Sequence, residues 1–558
     1  MTQPQVIPGN SEPDDPSSAG SAEAPPGAAG NGAASPHAGA GGRAGRTAAA
    51  RLVWPAGFVA AAVVLFAVYL RLSRATPVTA DFASVALMAQ DMLHGNLLLH
   101  GWNITDVTFY TTELPQFMAI EYIRGFGPDV VHVAAAMTYM LVLLLAALLA
   151  KGEATGRQAL ARVLAAAGIM LAPQLQQGAI IVLLSPDHFG TQVPLLLVWL
   201  LIDRAQRRWY VPVLAGLILA IVQVGDRIAV TIAVVPLVVV CGLRAYRSVV
   251  QRSEPLRSQW FELSLAAAAI VSVAAASAVS RLISAHGGYT QMPLHTTFAA
   301  IPTMPSHFWL TVEGILGVYG ADFFDHTLGI NSALAVLHLA GVAVAGWGFW
   351  LAIRRFTHQS LVVQILATAI IVNLAAYMFS VLPGTYWGTR QISAVLPLGA
   401  ALAGRLAAGR IVRAKLAPAM AVVLLGYVLA LGHGLAQPVQ PAWSQDLANW
   451  LEAHHLHGGF AEYPQANTTT LDSGGRVQVR TLRWPNDVPT HSHYQSDVSW
   501  YDPRLHDARF VVATIEPGGG PSPIYSQSRI AFGPPARTYH YRSYIIMTWR
   551  TNLMTYVH

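Results

Sequence analysis

Long apolar runs separated by short polar segments fill the chain from about residue 52 to residue 436. A helix rises 1.5 Å per residue, so about 20 residues are needed to cross a hydrocarbon core about 30 Å thick. The shortest runs are 190–203, 210–224 and 228–243. Eleven runs approach the required length, and we predict a membrane span for each of them: 52–72, 129–150, 163–184, 190–203, 210–224, 228–243, 261–283, 329–352, 360–382, 391–407 and 416–436.

Two longer polar stretches, 73–128 and 284–328, predict outer loops between these spans. In the first loop, apolar residues recur at helical spacing and predict an amphipathic helix lying in the membrane interface; they are Phe82, Val85, Met88, Ala89 and Met92. After the last span, residues 437–558 form a separate region. A helix around 444–455 precedes β-rich stretches at 476–482, 510–515 and 539–549. The predicted fold is therefore a polytopic α-helical membrane module, 51–436, with a small C-terminal α+β domain.

Residues 1–50 have a different composition, with Ala, Gly, Pro and Ser at 34 of 50 positions. Such a segment buries too little apolar surface to offset the entropy of ordering it. We expect a disordered cytoplasmic tail.

Composition excludes a soluble globular protein and a fully disordered one. Of the 558 residues, 54% are hydrophobic and only 11% are charged, whereas soluble domains carry about 25% charged residues. Under the eleven-span topology, 19 Arg and Lys residues fall in cytoplasmic segments and six in outer loops. This asymmetry predicts an inside N-terminus and an outside C-terminal domain. It also accounts for the net charge of +6 without a nucleic-acid partner.

Carboxylates in the first outer loop are candidates for chemistry. Asp81 follows the first span closely and begins the predicted helix, so it is either a general base facing a cavity or a helix N-cap. Asp91, Asp106 and Glu113 follow in the same loop. Each of the three is either a solvated loop acid or a partner of Asp81, which would raise the pKa of Asp81 or complete a divalent-cation site for Mg or Mn.

Other candidates lie at predicted span ends. Asp187 and His188 occupy a short outer turn, 185–190, where they either bind sugar or phosphate or simply end one span and begin the next. Asp226 and Arg227 are adjacent and predict an ion pair between helix ends. Asp322 lies in 320–325, a candidate re-entrant lid of the second long loop.

Arg390 stands in an outer segment, 383–391, where the positive-inside bias discourages arginine. Its guanidinium suits bidentate binding of a lipid phosphate, and snorkelling to phospholipid headgroups is the alternative.

Together these features resemble the GT-C superfamily of integral-membrane glycosyltransferases. The resemblance is carried by Asp81 heading a long first outer loop, by eight or more further spans, by Arg390 at the start of a late span (389–397, Thr-Arg-Gln-Ile-Ser-Ala-Val-Leu-Pro), and by the outside C-terminal domain. The resemblance implies a polyprenyl-phosphate sugar donor, Asp81 as catalytic base and Arg390 on the donor phosphate. Phe82 follows Asp81 where protein O-mannosyltransferases have Asp-Glu, so the acceptor stays open among glycan, lipid and protein.

The expected location is the bacterial cytoplasmic membrane, in contact with membrane lipids. Two other classes stay open: a transporter or flippase of lipid-linked sugars, and a non-catalytic envelope-assembly protein. An enzyme predicts that Asp81, Arg390 and Asp187 or His188 share one cavity facing outward.

Overall fold

A computed structural model describes residues 40–174, 180–184, 187–205, 207–293, 296–323 and 328–558, with side chains from residue 56 onward. Contacts divide the chain into two units, Met1–Val59 and Ala60–His558. In the first, the described part is the beginning of helix α1. Most of the predicted N-terminal tail, the first residues of the 185–190 turn and the end of the predicted 320–325 lid lie outside the described residues.

Helices dominate the second unit as far as residue 436. The α-helices of the described residues are α1 (Ala40–Ser73), α2 (Ala80–Leu93), α3 (Leu114–Arg124), α4 (Asp129–Lys151), α5 (Gly156–Met170), α6 (Gln192–Arg204), α7 (Tyr210–Gly225), α8 (Val235–Tyr246), α9 (Trp260–Ala285), α10 (Met304–Val318), α11 (Ile330–Arg354), α12 (Leu361–Met378), α13 (Val395–Leu402), α14 (Ala408–Arg413), α15 (Ala417–Ala436), α16 (Gln445–Ala453), α17 (Tyr463–Asp472) and α18 (Ile524–Phe532).

Eight helical segments of the described chain are long and apolar enough to cross a membrane: Ala56–Ser73, Asp129–Lys151, Val230–Gln251, Leu256–Ala285, Ile330–Arg354, Leu361–Met378, Val395–Arg413 and Ala417–Ala436. Each coincides with one of the eleven predicted spans. Short π-helical or 3₁₀ turns continue several of the α-helices, which is why the segment beginning at Val230 is longer than its apolar run indicates.

The other three predicted spans fall on shorter helices. The run 163–184 corresponds to α5, which ends at Met170, and to a π-helical turn, Ile180–Leu184. The helices α6 and α7 have 13 and 16 residues. At 1.5 Å per residue they are about 20 and 24 Å long, short of a 30 Å core.

The helix predicted in the first outer loop exists as α2, but it does not lie with one face in the membrane interface. Its buried residues include Phe82, Ala83, Val85 and Met88, which surround the helix rather than following one stripe. The helices α3, α4 and α17 pack against it. Small residues such as Ala83 allow this close packing, and the apolar spacing therefore marks a buried helix.

Among the described residues, the second unit contains two sheets. Their strands are β1 (Trp102–Ile104), β2 (Thr290–Gln291), β3 (Gly458–Ala461), β4 (Gln478–Arg483), β5 (Thr490–His491), β6 (Ser496–Asp497), β7 (Phe510–Thr514), β8 (Arg537–Tyr541) and β9 (Tyr544–Thr548). The order β5-β4-β3-β7-β9-β8 forms a mixed six-stranded sheet, which confirms the predicted C-terminal α+β architecture. The order β2-β1-β6 joins both long loops to the C-terminal region, with Trp102 opposite Asp497.

Close packing of spans depends on Gly348 in α11. A Cβ at this position would lie 2.7 Å from the backbone N and Cα of Ala403. Backbone atoms of a packed helix cannot shift cheaply, so the two helices approach this closely only because residue 348 has no side chain.

We expect Gly348→Ala to destabilise the protein by about 1–3 kcal/mol through overpacking, measured as a lower Tm in detergent. Gly346→Ala on the same helix is the matched control, because a Cβ there meets nothing within 4 Å. Its Tm should be unchanged or slightly raised, since alanine favours a helix over glycine. Equal Tm values for the two variants would contradict this account of the packing.

Candidate functional site

Arg390 is the cation around which the candidate site is built. It lies in a 3₁₀ segment, Tyr386–Ile392, just before α13. Its Nη1 lies 2.7 Å from Asp187 Oδ2 and 3.7 Å from Asp81 Oδ2. The negative charge of Asp187 raises the pKa of the guanidinium. Three of the predicted site residues, from segments far apart in sequence, are therefore in direct electrostatic contact.

Asp81 lies in the first turn of α2, whose N-cap position is Thr79. Its Oδ1 accepts hydrogen bonds from the Tyr463 hydroxyl at 2.8 Å and the Tyr494 hydroxyl at 3.4 Å. The N-cap interpretation is therefore wrong, because the carboxylate binds groups from the C-terminal region and faces Arg390.

His188 and Asp226 form a buried pair behind Arg390. His188 Nδ1 lies 2.9 Å from Asp226 Oδ2, and their side chains are 3% and 2% exposed. Burial alone would lower the pKa of His188, but the charge and hydrogen bond of Asp226 outweigh it, so the pKa is raised. Burial would likewise raise the pKa of Asp226; its partners, His188, Thr191 and the Ile228 amide, lower it instead. The predicted Asp226–Arg227 pair is replaced by this one.

Backbone strain accompanies the pair. His188 has a φ of +55°, in the left-handed region that residues other than glycine rarely adopt. The Thr191 hydroxyl and the Ile228 amide also donate to Asp226, at 2.7 and 3.0 Å. These contacts fix the turn that also carries Asp187. Burial raises the pKa of Asp187, and Arg390 opposes that rise.

Two further loop acids lie near this cluster. Asp106 is close enough to act electrostatically on Asp187 and Arg390. Glu113 is 2% exposed, accepts a hydrogen bond from Thr112, and has its Oε1 without a hydrogen-bond partner in the described structure. Burial raises the pKa of Glu113 well above its ordinary value.

Asp91 and Asp322 lie outside the cluster. Asp91 accepts hydrogen bonds from Asn96 and Trp102 within its own loop, at 2.6 and 2.8 Å. Asp322 lies beside Tyr386, at the start of the Arg390 segment, where it interacts with the phenol. Asp322 is therefore connected to the site through the 3₁₀ segment Tyr386–Ile392.

The Arg390 segment lines two cavities. The smaller has a volume of about 320 Å³ and is lined by Asp81, Arg390, Trp387, Trp443 and Tyr463, among others. The larger, of about 1270 Å³, is lined mainly by apolar side chains. Its polar residues include Asp106, His188, Asp226, Asn373 and Gln391. The residues that we expect in one cavity are thus divided between two, with Asp81 and Arg390 in the smaller and His188 in the larger.

Tyr463 and Tyr494 are site residues that sequence reasoning missed. They lie in the C-terminal region, 382 and 413 residues from Asp81. Neither stands in a motif, and no local pattern distinguishes them from other tyrosines.

Among the described residues, no group of three or more His, Cys, Asp or Glu side chains is placed to hold a metal ion. A divalent cation, Mg or Mn, stays a prediction.

The fold is similar to that of two crystal structures of ArnT from Cupriavidus metallidurans. The apo structure matches with a TM-score of 0.53 and 15% identity, covering 91% of this chain and 99% of that chain. The structure bound to undecaprenyl phosphate matches with a TM-score of 0.52 and 13% identity, covering 88% and 97%. No protein-family profile matches the sequence, and no curated protein matches it.

This likeness confirms the predicted architecture: the chain has a polytopic helical fold similar to that of ArnT. The protein is a multi-pass membrane protein with the ArnT fold.

The buried pair predicts a pH-dependent stability. Because the pKa of His188 is raised, its contribution to the free energy of unfolding is complete below pH 6.5, its ordinary pKa. That contribution is lost as the pH rises through the raised pKa. Because the pKa of Asp226 is lowered, its contribution to the free energy of unfolding is present above pH 3.8, its ordinary pKa. That contribution is lost as the pH falls through the lowered pKa. We expect the Tm difference between wild type and Asp226→Asn to be largest between pH 3.8 and 6.5 and to shrink in alkali.

Removing one partner of a buried pair costs about 3–5 kcal/mol, so the difference should be several degrees. Asp507→Asn is the control, since Asp507 pairs with Arg509 at an exposed site. A Tm difference that is flat from pH 4 to 9 would show that His188 is not charged in the folded protein.

Proposed function

We propose that this protein transfers a sugar from a polyprenyl-phosphate donor to an acceptor hydroxyl, with Asp81 as general base and Arg390 on the donor phosphate. One observation carries the proposal: a carboxylate and a guanidinium, 3.7 Å apart, line the same cavity beside the membrane spans. An acceptor hydroxyl needs the first group and a phosphate leaving group needs the second.

The larger cavity is a suitable place for the donor lipid. Its apolar lining includes Met292, Phe298, Ile371 and Phe379, all of which keep exposed surface. Gln391, the neighbour of Arg390, lies in its wall. A polyprenyl chain would bury against these side chains while its phosphate reaches Arg390. Support comes from the ArnT structure with undecaprenyl phosphate, which has the same fold.

The smaller cavity is a suitable place for the sugar and the acceptor hydroxyl. Its volume of about 320 Å³ accommodates a monosaccharide, and Trp387 and Trp443 offer indole faces. Aromatic faces pack well against the apolar face of a sugar ring. The Asp81 carboxylate is the group of this cavity that would accept the proton of the acceptor hydroxyl.

The reaction follows from this arrangement. Asp81 takes the proton of the acceptor hydroxyl, and the oxygen forms a bond to the anomeric carbon. The bond from that carbon to the phosphate oxygen breaks, and polyprenyl phosphate leaves with the electron pair. Arg390 stabilises the charge that develops on the phosphate. Attack opposite the leaving group inverts the anomeric centre.

Asp187 prepares Arg390 for this role. Its bond to Nη1 at 2.7 Å orients the guanidinium and leaves the other nitrogen donors for phosphate. When the donor phosphate binds, it competes with Asp81 for Arg390, and Asp81 is released to face the acceptor.

We further propose that the reaction takes place on the outer face of the bacterial cytoplasmic membrane. The Arg and Lys distribution supports this orientation, since 19 of these residues lie in segments assigned to the cytoplasm and six in outer loops. The acceptor is a glycan, a lipid or a protein.

The first test is release of polyprenyl phosphate by purified protein from a panel of polyprenyl-phosphate sugars, with cell-envelope extract as the acceptor source. We expect Asp81→Asn to reduce the release rate by about 10²–10⁴-fold, the usual contribution of a general base. Asp507→Asn, an exposed carboxylate in the C-terminal region, should keep the wild-type rate.

Full release by a folded Asp81→Asn variant would show that Asp81 is not the base. No release from any donor, combined with movement of a labelled lipid-linked sugar across a vesicle membrane, would favour the transporter instead.

Arg390→Lys tests the phosphate assignment. Lysine keeps the charge but loses the planar pair of donors that binds phosphate at two oxygens. We expect KM for the donor to rise about tenfold, the equivalent of one lost hydrogen bond to a charged group. Arg509→Lys is the control. An unchanged KM together with an unchanged kcat would place the phosphate elsewhere.

A further inference from the structure

The C-terminal region contacts the candidate base through helix α17 and through the loop that carries Tyr494. Tyr463 and Asn467 are four residues apart and lie on one face of α17, and Asp81 and Ser84 are three apart on one face of α2. The Tyr463 hydroxyl donates to Asp81 Oδ1 at 2.8 Å, and Asn467 Nδ2 donates to Ser84 Oγ at 2.7 Å. These two hydrogen bonds, together with a longer contact of 3.4 Å between the Ser84 and Tyr463 hydroxyls, join the helices in register.

Both ends of the second bond are fixed. Ser84 and Asn467 are 0% and 1% exposed. Ser84 donates its proton to the Ala80 carbonyl of its own helix at 2.8 Å, so its oxygen is the acceptor toward Asn467. Because buried polar groups are costly to leave unpaired, this pair holds α17 in one position along α2.

A second phenol reinforces the first. Tyr494, from the loop before β6, lies 3.4 Å from the same Asp81 oxygen, and its ring meets that of Tyr463 edge to face at 5.0 Å. Burial raises the pKa of both phenols, so both remain protonated and can only donate to the carboxylate.

The two carboxylate oxygens of Asp81 therefore have different partners. Oδ1 accepts from the phenols, whereas Oδ2 lies 3.7 Å from Arg390 Nη1, and both residues line the smaller cavity. A carboxylate held at one oxygen cannot rotate freely, so the other oxygen is presented at a defined point of the cavity.

We propose that Tyr463, assisted by Tyr494, is a positioning residue for Asp81, and that the C-terminal region is therefore an integral part of the catalytic centre. This inference rests on the proposed function, in which Asp81 Oδ2 takes the proton of the acceptor.

The experiment measures polyprenyl phosphate release by the full-length Tyr463→Phe protein across pH. Loss of a donor to the ionised carboxylate should reduce kcat about tenfold at neutral pH. It should also move the acid limb of the kcat profile to higher pH by about one unit, because the ionised form is less stabilised. KM for the donor should not change. Tyr525→Phe, which removes a partly exposed phenol of α18, is the matched control.

Asn467→Ala distinguishes the effect of the position of α17 from the effect of the hydrogen bond to the charged Asp81 carboxylate. It weakens the register of α17 on α2 without touching Asp81, so kcat should fall while the acid limb stays in place. A Tyr463→Phe protein with the wild-type kcat and pH profile would overturn the proposal. Should that variant not fold, Tyr494→Phe tests the same prediction with a smaller expected shift.

A double variant distinguishes failure of this inference from failure of the proposed function. In an Asp81→Asn background, Tyr463→Phe should change the residual rate less than about twofold, because it acts through Asp81. A full additional loss would show that Tyr463 acts independently and would refute the positioning role. Full activity of Asp81→Asn alone would refute the proposed function.

Discussion

The need to compensate one half-buried guanidinium organises the centre of this protein. An unpaired charge away from water costs several kcal/mol, so Arg390 requires carboxylates close by. Asp187 and Asp81 supply them, and each comes from a different segment. Satisfying Arg390 therefore brings together the start of α2, the turn before α6 and the segment before α13. The His188–Asp226 pair then holds that turn from behind.

The C-terminal region is connected to this centre by polar contacts as well as by packing. Its six-stranded sheet has its own apolar core around Phe460, Val511 and Met547. The groups that reach Asp81 project from one helix and one loop outside that sheet. A stable sheet thus serves as the support from which a few side chains are directed at the membrane module.

What the sequence could predict depended on how local each signal is. Apolar length located the eight spanning segments, and β-rich composition located strands such as β7 and β9. Position alone marked Asp81 and Arg390, because charges beside apolar runs are few. The contacts between distant side chains could not be predicted, since His188 and Asp226 are 38 residues apart and Tyr463 and Asp81 are 382 apart. Such partners are set by how helices pack, which periodicity does not encode. The same limit explains α2, whose apolar spacing gave no sign that protein, and not lipid, would surround it.

The 3₁₀ conformation of Tyr386–Ile392 has a consequence for the length of that segment. With three residues per turn, Trp387 and Arg390 share one face and line the smaller cavity, while Gln391 points a third of a turn away into the larger one. Inserting or deleting one residue would turn the segment by about 120°, placing an amide where the guanidinium now lines the smaller cavity. The side chains of this segment can therefore change one at a time, whereas a change in the number of its residues would move Arg390 out of the smaller cavity.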